Sequence, residues 1–154
     1  MAKPEQNESV AGHLLERAIA LAVEKHAGQS DKSGAPYILH PLRMMARMKT
    51  TETMMAAVLH DVVEDTNTSL EDLRREGFPE SVVAAVDALS RRDGESYEDF
   101  TGRAGANLLA RPVKIADLED NMNLLRLGVE GLSEKDVERL NRYLRAWNYL
   151  TGLL

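Results

Sequence analysis

The segment Val58-Leu59-His60-Asp61-Val62-Val63-Glu64-Asp65-Thr66 decides how the rest of the chain is read. Taken as a helix at about 100° per residue, it divides into two faces. Met54, Met55, Val58, Leu59, Val62 and Val63 fall on one, and His60, Asp61, Glu64 and Asp65 on the other. Three carboxylates and an imidazole then share a patch about two turns long. By itself such a face is an ordinary solvated helix surface. The adjacent His60–Asp61 pair points further, because it joins a neutral nitrogen donor to a hard oxygen donor, the mixture a divalent cation takes. Two donors do not close a site, so other segments must supply the remainder.

The chain has 154 residues, enough for one domain with a real core. Hydrophobic residues make up 44% and charged residues 29%, the balance of a soluble globular protein. Aromatics are only 5%, so the core must be aliphatic, which favours helices over a β-sandwich. A net charge of −6 argues against nucleic acid as the main partner, since phosphate backbones need a basic surface. A small phosphorylated ligand needs only a local cluster of cations. No cysteine is present, so disulfides and thiolate metal sites are excluded and any metal falls to His, Asp and Glu. With no signal-peptide pattern and no apolar run of spanning length, the expectation is a cytoplasmic protein without a membrane partner.

In chain order, residues 1–8 are polar and expected to be flexible, with one domain over 9–154. A first helix is expected from Ser9 as N-cap to about His26, with Leu14, Leu15, Ala18, Ile19 and Ala22 inward. His13 and His26 near its ends read as surface or capping residues. Gly28 to Tyr37 is a loop by its breakers, and Lys32 between Gly28 and Gly34 is a weak signal for a phosphate cradle. His40-Pro41 opens a second helix with Leu42, Met45, Ala46 and Met48 inward, and a third runs from about Thr51 to Asp65. Ser69 with Asp72 forms a capping box for a short helix ending at Gly77, and Pro79 begins another. Further helices are expected from Ser96 to Ala104, from Val113 to about Leu127, and from Glu134 to Leu153, with Gly105–Arg111 ambiguous. On the Val113 helix, Asp117, Asp120 and Asn121 share one side. The last helix, with Leu140, Tyr143, Leu144, Trp147, Leu150 and Leu154 in a stripe, reads as closing the core.

Four blocks in order carry a resemblance: "HAGQSDKSGAPYILHPLRM" at 26–44, "AAVLHDVVEDTNTSLEDLRREG" at 56–77, "ESYEDF" at 95–100 and "VKIADLEDN" at 113–121. They resemble the HD-domain metal-dependent phosphohydrolases, and more narrowly the hydrolase domain of the Rel/SpoT enzymes and the stand-alone small alarmone hydrolases. The resemblance implies an all-α HD fold of about eight helices with a metal site between helices. It makes His40, His60, Asp61 and Asp117 the ligands of a divalent ion, usually manganese in such proteins. It makes Glu64 and Asp65 the pair that positions and activates water, and Lys32, Asn121 and, more weakly, Ser33 the substrate contacts. The implied reaction removes pyrophosphate from the 3′ position of (p)ppGpp or (p)ppApp.

Two departures stand out. Many relatives carry Arg-Lys where this chain has Asp31-Lys32, and a carboxylate cannot stack on a purine as a guanidinium does. Asp31 is thus expected either to accept from a purine amino group or to face solvent, and the base preference stays open. The second departure, "LEDNMNL" at 118–124, brings Asp120 near the site. No room is left for a synthetase domain, so a stand-alone hydrolase is expected, with a homo-oligomer left open. The alternatives are an HD phosphohydrolase for another nucleotide and a non-catalytic nucleotide-sensing module. The latter should have lost a ligand or the Glu64–Asp65 pair, and all are present.

Overall fold

Helix α3 (Thr51–Leu59) is the element on which the others are packed. Thr50 starts it with a capping box, its hydroxyl accepting from the Thr53 amide at 3.2 Å. From Met55 to Leu59 every side chain is buried, as befits a helix apolar all round. The structure, a computed structural model, describes residues 4–126 and 131–153. In chain order α1 (Pro4–Lys25) and α2 (Leu39–Ala46) precede α3. After it come α4 (Val62–Asp65), α5 (Leu70–Arg75), α6 (Glu80–Leu89), α7 (Tyr97–Ala106), α8 (Ala110–Asn121), a 3-10 turn at Leu124–Arg126 and α9 (Glu134–Thr151). Among the described residues there is no strand; one isolated bridge, Ser30 to Pro36, pinches the loop after α1. The fold is all-α, as expected.

Two sides of α3 face two halves of the core. Met55, Val58 and Leu59 meet Leu21 and Ala22 of α1, Leu73 of α5 and the valines of α6. Ala56 and Ala57 meet Met44, Ala85 and Ala88, with Ala110, Val113 and Ala116 of α8 in the same cluster. Small residues at this second contact let backbones approach closely, which brings α2 and α8 near the C-terminal end of α3. A third cluster, Leu118 with Ala146 and Leu150, seats α9.

Several expectations are corrected. The helix expected from Thr51 to Asp65 is broken at His60–Asp61, where Asp61 has φ −100° and ψ −5°. The cause is local: the His60 imidazole takes the Ala57 carbonyl through Nδ1 at 2.7 Å. An uninterrupted helix would give that oxygen to the Asp61 amide. In α2, Met44 is fully buried and Ala46 is exposed, because Met44 lies one turn beyond His40 on the inward face. Helix α1 begins at Pro4, so Ser9 lies inside it; proline at the first helical position needs no amide partner. The backbone of residues 4–8 is helical, and residues 1–3 lie outside the described residues. Helix α8 stops at Asn121 and gives way to the 3-10 turn, and Leu127 lies outside the described residues. The ambiguous segment is resolved by Asn107, whose Oδ1 accepts from the Leu109 and Ala110 amides at 3.0 and 2.9 Å and starts α8. On α9, Leu144 is exposed and Ala146 is buried in its place, while Leu154 lies outside the described residues.

This packing separates two otherwise similar substitutions. Ala56→Leu should lose about 1–3 kcal/mol by overfilling the α3 contact. Ala46→Leu should stay within about 0.5 kcal/mol of the parent, as exposed sites do. Urea unfolding of both variants checks this, and equal losses would contradict an inward Ala56 and an outward Ala46.

Candidate metal centre

Three helices deliver side chains to one point. His40 comes from the first turn of α2, His60 and Asp61 from the break after α3, and Asp117 from the middle of α8. His60 Nε2 lies 2.9 Å from Asp61 Oδ2 and 3.9 Å from Asp117 Oδ1. His40 Nε2 lies 3.8 Å from Asp61 Oδ2 and 3.3 Å from Asp117 Oδ1. Donor atoms of His40, His60 and Asp61 all fall within 4.8 Å of one another, the spread of a set able to hold one ion. His60, expected on a polar helix face, is 2% exposed, because the break turns it into the core.

The imidazoles are turned the same way by different means. Ala57 O can only accept, so His60 Nδ1 carries a hydrogen and Nε2 faces the carboxylates. His60 Nε2 is buried and makes no hydrogen bond of good geometry. A buried nitrogen without a partner, aimed at two carboxylates and a second imidazole, fits a cation better than it fits a closed hydrogen-bond network. Burial alone would lower the His60 pKa, but the Asp61 and Asp117 carboxylates overcome it and raise it to about 9. The same field attracts a metal ion. His40 Nδ1 stands 2.7 Å from Asp120 Oδ2, which again leaves Nε2 for the centre.

Each central carboxylate has its own donor. The Tyr37 hydroxyl donates to Asp61 Oδ2. Lys114, buried on α8, donates from Nζ to Asp117 Oδ2 at 2.9 Å and packs its ammonium over the Phe100 ring at 4.6 Å. Asn121 Nδ2 donates to Asp117 Oδ1 at 2.6 Å and to the Asp117 carbonyl at 3.0 Å. Burial would raise Asp117, yet Lys114 and the imidazoles hold its carboxyl far below the usual range.

Glu64 lines the same cavity, and its Oε2 accepts from the Arg91 amide at 2.8 Å. Burial pushes the Glu64 carboxyl up, against that amide. Burial and then Asp61 also raise Asp65, while His26 and Tyr37 oppose. Of this pair only Glu64 lies on the cavity wall.

The cavity over the centre measures about 280 Å³ and a second, of about 260 Å³, adjoins it. Tyr37, Asn121 and Tyr143 line both. Lys32 and Ser33 lie on the second, together with Arg126. Asp31 neither faces solvent nor is free for a base. Its Oδ1 accepts from the Ser33 amide at 2.8 Å, the Ser33 hydroxyl at 2.6 Å and the Ala35 amide at 3.0 Å, while Oδ2 pairs with Arg126 Nη2 at 2.8 Å. The Ser33 hydroxyl first, and Arg126 with the loop amides, hold Asp31 down to about 2. The loop is thus built on Asp31 as an Asx turn.

His13 is exposed, as expected, but His26 is buried at 2%. Its Nδ1 pairs with Gln29 Oε1 at 2.8 Å and its ring packs 4.9 Å from Tyr37, behind the site. Sequence reasoning missed Tyr37, Lys114 and the arginines of the two cavities. Tyr37 and Lys114 stand inside the quoted blocks, so their only signal was adjacency to a motif. Arg142 stands on α9, stacked over Tyr97 at 5.1 Å, where no motif marks it.

Among known proteins, a profile of the HD domain matches residues 18–120. A GTP pyrophosphokinase of Streptomyces coelicolor is 38% identical over 143 residues, covering 84% of this chain and 17% of its own length. A guanosine-3′,5′-bis(diphosphate) 3′-pyrophosphohydrolase of Vibrio cholerae is 40% identical over 126 residues, covering 72% of this chain and 18% of its own. This chain spans about a sixth of the length of these curated relatives. A solved structure described as a metazoan ortholog of SpoT that hydrolyzes ppGpp aligns with a TM-score of 0.70 at 23% identity, covering 88% of this chain and 84% of that one. That likeness speaks for the fold.

The raised His60 makes a prediction. A cation needs Nε2 without its proton, so binding displaces a proton at all pH values below about 9. Apparent Mn²⁺ affinity should rise about tenfold per pH unit between pH 6.5 and 8.5. Titrations at three pH values check it, and a flat profile would remove His60 from the donor set.

Proposed function

The chain belongs to the HD-domain family, and from that premise we propose that it is a metal-dependent hydrolase of alarmone nucleotides. It cleaves the bond between the 3′ oxygen and the diphosphate of (p)ppGpp or (p)ppApp with water, leaving a 3′ hydroxyl and releasing pyrophosphate. The observation that carries this reading is the convergence of His40, His60, Asp61 and Asp117 at the floor of a cavity that opens into a second one. His40, His60, Asp61 and Asp117 would hold the ion, for which Mn²⁺ is our choice. When bound, it supplies Lewis acidity and neutralises phosphoryl charge.

The protein groups do the rest. Glu64, fixed by the Arg91 amide and with its carboxyl raised, takes the proton of the attacking water as general base. Asp65, beside Tyr37, supports that base. Tyr37 and Lys114 hold the two central carboxylates in place. Asn121 stands where the cavities meet and contacts the sugar, while Lys32 receives phosphates from the loop side; both donors of Ser33, its amide and its hydroxyl, are taken by Asp31, which shapes that loop. The names of the pyrophosphohydrolase relatives support the substrate class. Either purine is accepted in this reading. We place the enzyme in the cytoplasm, acting on small molecules, and the net charge of −6 supports such substrates over nucleic acid; no helix among the described residues is long and apolar enough to cross a membrane.

The test is incubation of the purified protein and Mn²⁺ with guanosine and adenosine 3′-diphosphate substrates and with plain nucleotides. Pyrophosphate should appear from the first group alone; turnover of plain nucleotides instead would overturn the assignment. Asp61→Ala should abolish both cation binding and turnover. Glu64→Gln should keep the cation and lose roughly 10²–10⁴-fold in kcat. A loss under about threefold would remove Glu64 as the base.

A further inference from the structure

Behind His40 lies a chain of charges that no part of the reaction above uses. Asp120, one turn below Asp117 on α8, has a side chain only 10% exposed. Its Oδ2 meets His40 Nδ1 at 2.7 Å. Arg43, three residues after His40 on α2, grips both its oxygens from Nε and Nη2, each at 2.9 Å. Arg126 adds a bond from Nη1 at 2.5 Å and reaches on from Nη2 to Asp31 Oδ2 at 2.8 Å. One carboxylate therefore joins a candidate metal ligand to the loop that borders the second cavity.

We propose that Asp120 is a positioning residue of the cation site, fixing His40 with hydrogen on Nδ1 and the lone pair of Nε2 at the centre. The proposal rests on the reading of His40 as a ligand. Without a strong acceptor at Nδ1, an imidazole is free to carry its hydrogen on either nitrogen, and the tautomer with hydrogen on Nε2 has no lone pair to offer the centre. A carboxylate acceptor does more than select the tautomer, because it increases the basicity of the ligating nitrogen. His60 has only the neutral Ala57 carbonyl in that role. The two imidazoles are thus held by unlike acceptors, a carboxylate behind His40 and a carbonyl behind His60. Arg43 and Arg126 keep Asp120 still, since a bidentate and a second guanidinium leave the carboxylate no free rotation. The bond from Arg126 to Asp31 then sets the loop against the same carboxylate.

A plainer role competes with this one: Asp120 neutralises two arginines and touches His40 by proximity. The two roles part in a set of variants measured with Mn²⁺ alone, by electron paramagnetic resonance of the free ion. Asp120→Asn should weaken Mn²⁺ binding about 10–100-fold, the usual cost of losing such a partner. Nitrogen-15 NMR of the metal-free protein should show His40 as the single Nδ1–H tautomer in the parent and as a mixture in the variant. The double variant Asp120→Asn, Arg43→Gln removes the charge left unpaired, and with it the risk of misfolding, and keeps Arg126 on Asp31. It should bind Mn²⁺ as weakly as Asp120→Asn. Recovery of parental affinity in the double variant would overturn the proposal, because the carboxylate would then only balance charge. Asp117→Ala separates this from the reading beneath it. If that variant binds Mn²⁺ as the parent does, the site itself is misassigned. If it loses the ion while Asp120→Asn keeps both affinity and tautomer, the positioning role alone fails.

Discussion

Asp61 and Asp117 approach the same two buried imidazoles, and the architecture answers that approach of like charges. A buried ion left without a partner costs several kcal/mol. Here each carboxylate has a donor of its own outside the centre, Tyr37 for Asp61 and Lys114 with Asn121 for Asp117. On Asp117, Lys114 takes Oδ2 and leaves Oδ1 to Asn121 and the two imidazoles, whereas on Asp61 one oxygen, Oδ2, both accepts from Tyr37 and faces His40 and His60. The site is negative in balance: Lys114 is the buried cation beside it, and its charge is matched by Asp117. Such a field favours a protonated imidazole or a divalent ion, and His60 responds to it in the expected direction.

The precision of the centre comes from packing remote from it. His40, His60 and Asp117 belong to different helices, so their separation is set by how α2, α3 and α8 seat on one another. Ala56 and Ala57 on α3 and Ala110 and Ala116 on α8 share a cluster with Met44 and Met48. Alanines fix the helix spacing by backbone contact, which leaves little rotamer freedom, and the methionines fill the remaining gaps. The break at His60–Asp61 belongs to the same design. A continuous helix would place successive side chains about 100° apart, whereas here the side chain of His60 takes a backbone acceptor and the chain turns before α4.

How far the sequence could be read follows the same physics. Caps are local, so the capping box of Ser69 with Asp72 and the Ser96 cap that starts α7 stand where their residues indicate. The apolar stripe of α6 is equally plain. The four candidate ligands come from motifs, and the structure brings their side chains together. What failed were the features decided by tertiary contact. Nothing in the order of residues 51–65 shows that the His60 ring will capture Ala57, so periodicity carried the helix through the break. Ala46 and Met44 are both plausible core residues in sequence, and only the position of α3 chooses between them. His26 closes a helix in the manner of a capping residue, yet Tyr37 folds back over it and buries it.

Asp31 shows the same limit at the site. A carboxylate in a loop offers two readings, a ligand for something bound or a partner for the chain, and they differ in what the neighbouring amides do. Here the Ser33 and Ala35 amides turn inward onto it, so the loop conformation itself uses Oδ1. Oδ2 is used by Arg126, a residue 95 positions away that no local pattern connects to it. Beside Lys32 of the loop, side chains from the other end of the chain reach the second cavity. Arg139 and Tyr143 line it from α9, and Arg142 and Tyr143 line the first. A helix whose sequence reads only as a lid for the core thus has one face on Ala146 and Leu150 and another on the cavities. Successive residues turn about 100° around the helix, which is why Tyr143 and Ala146, three positions apart, sit close enough to serve both.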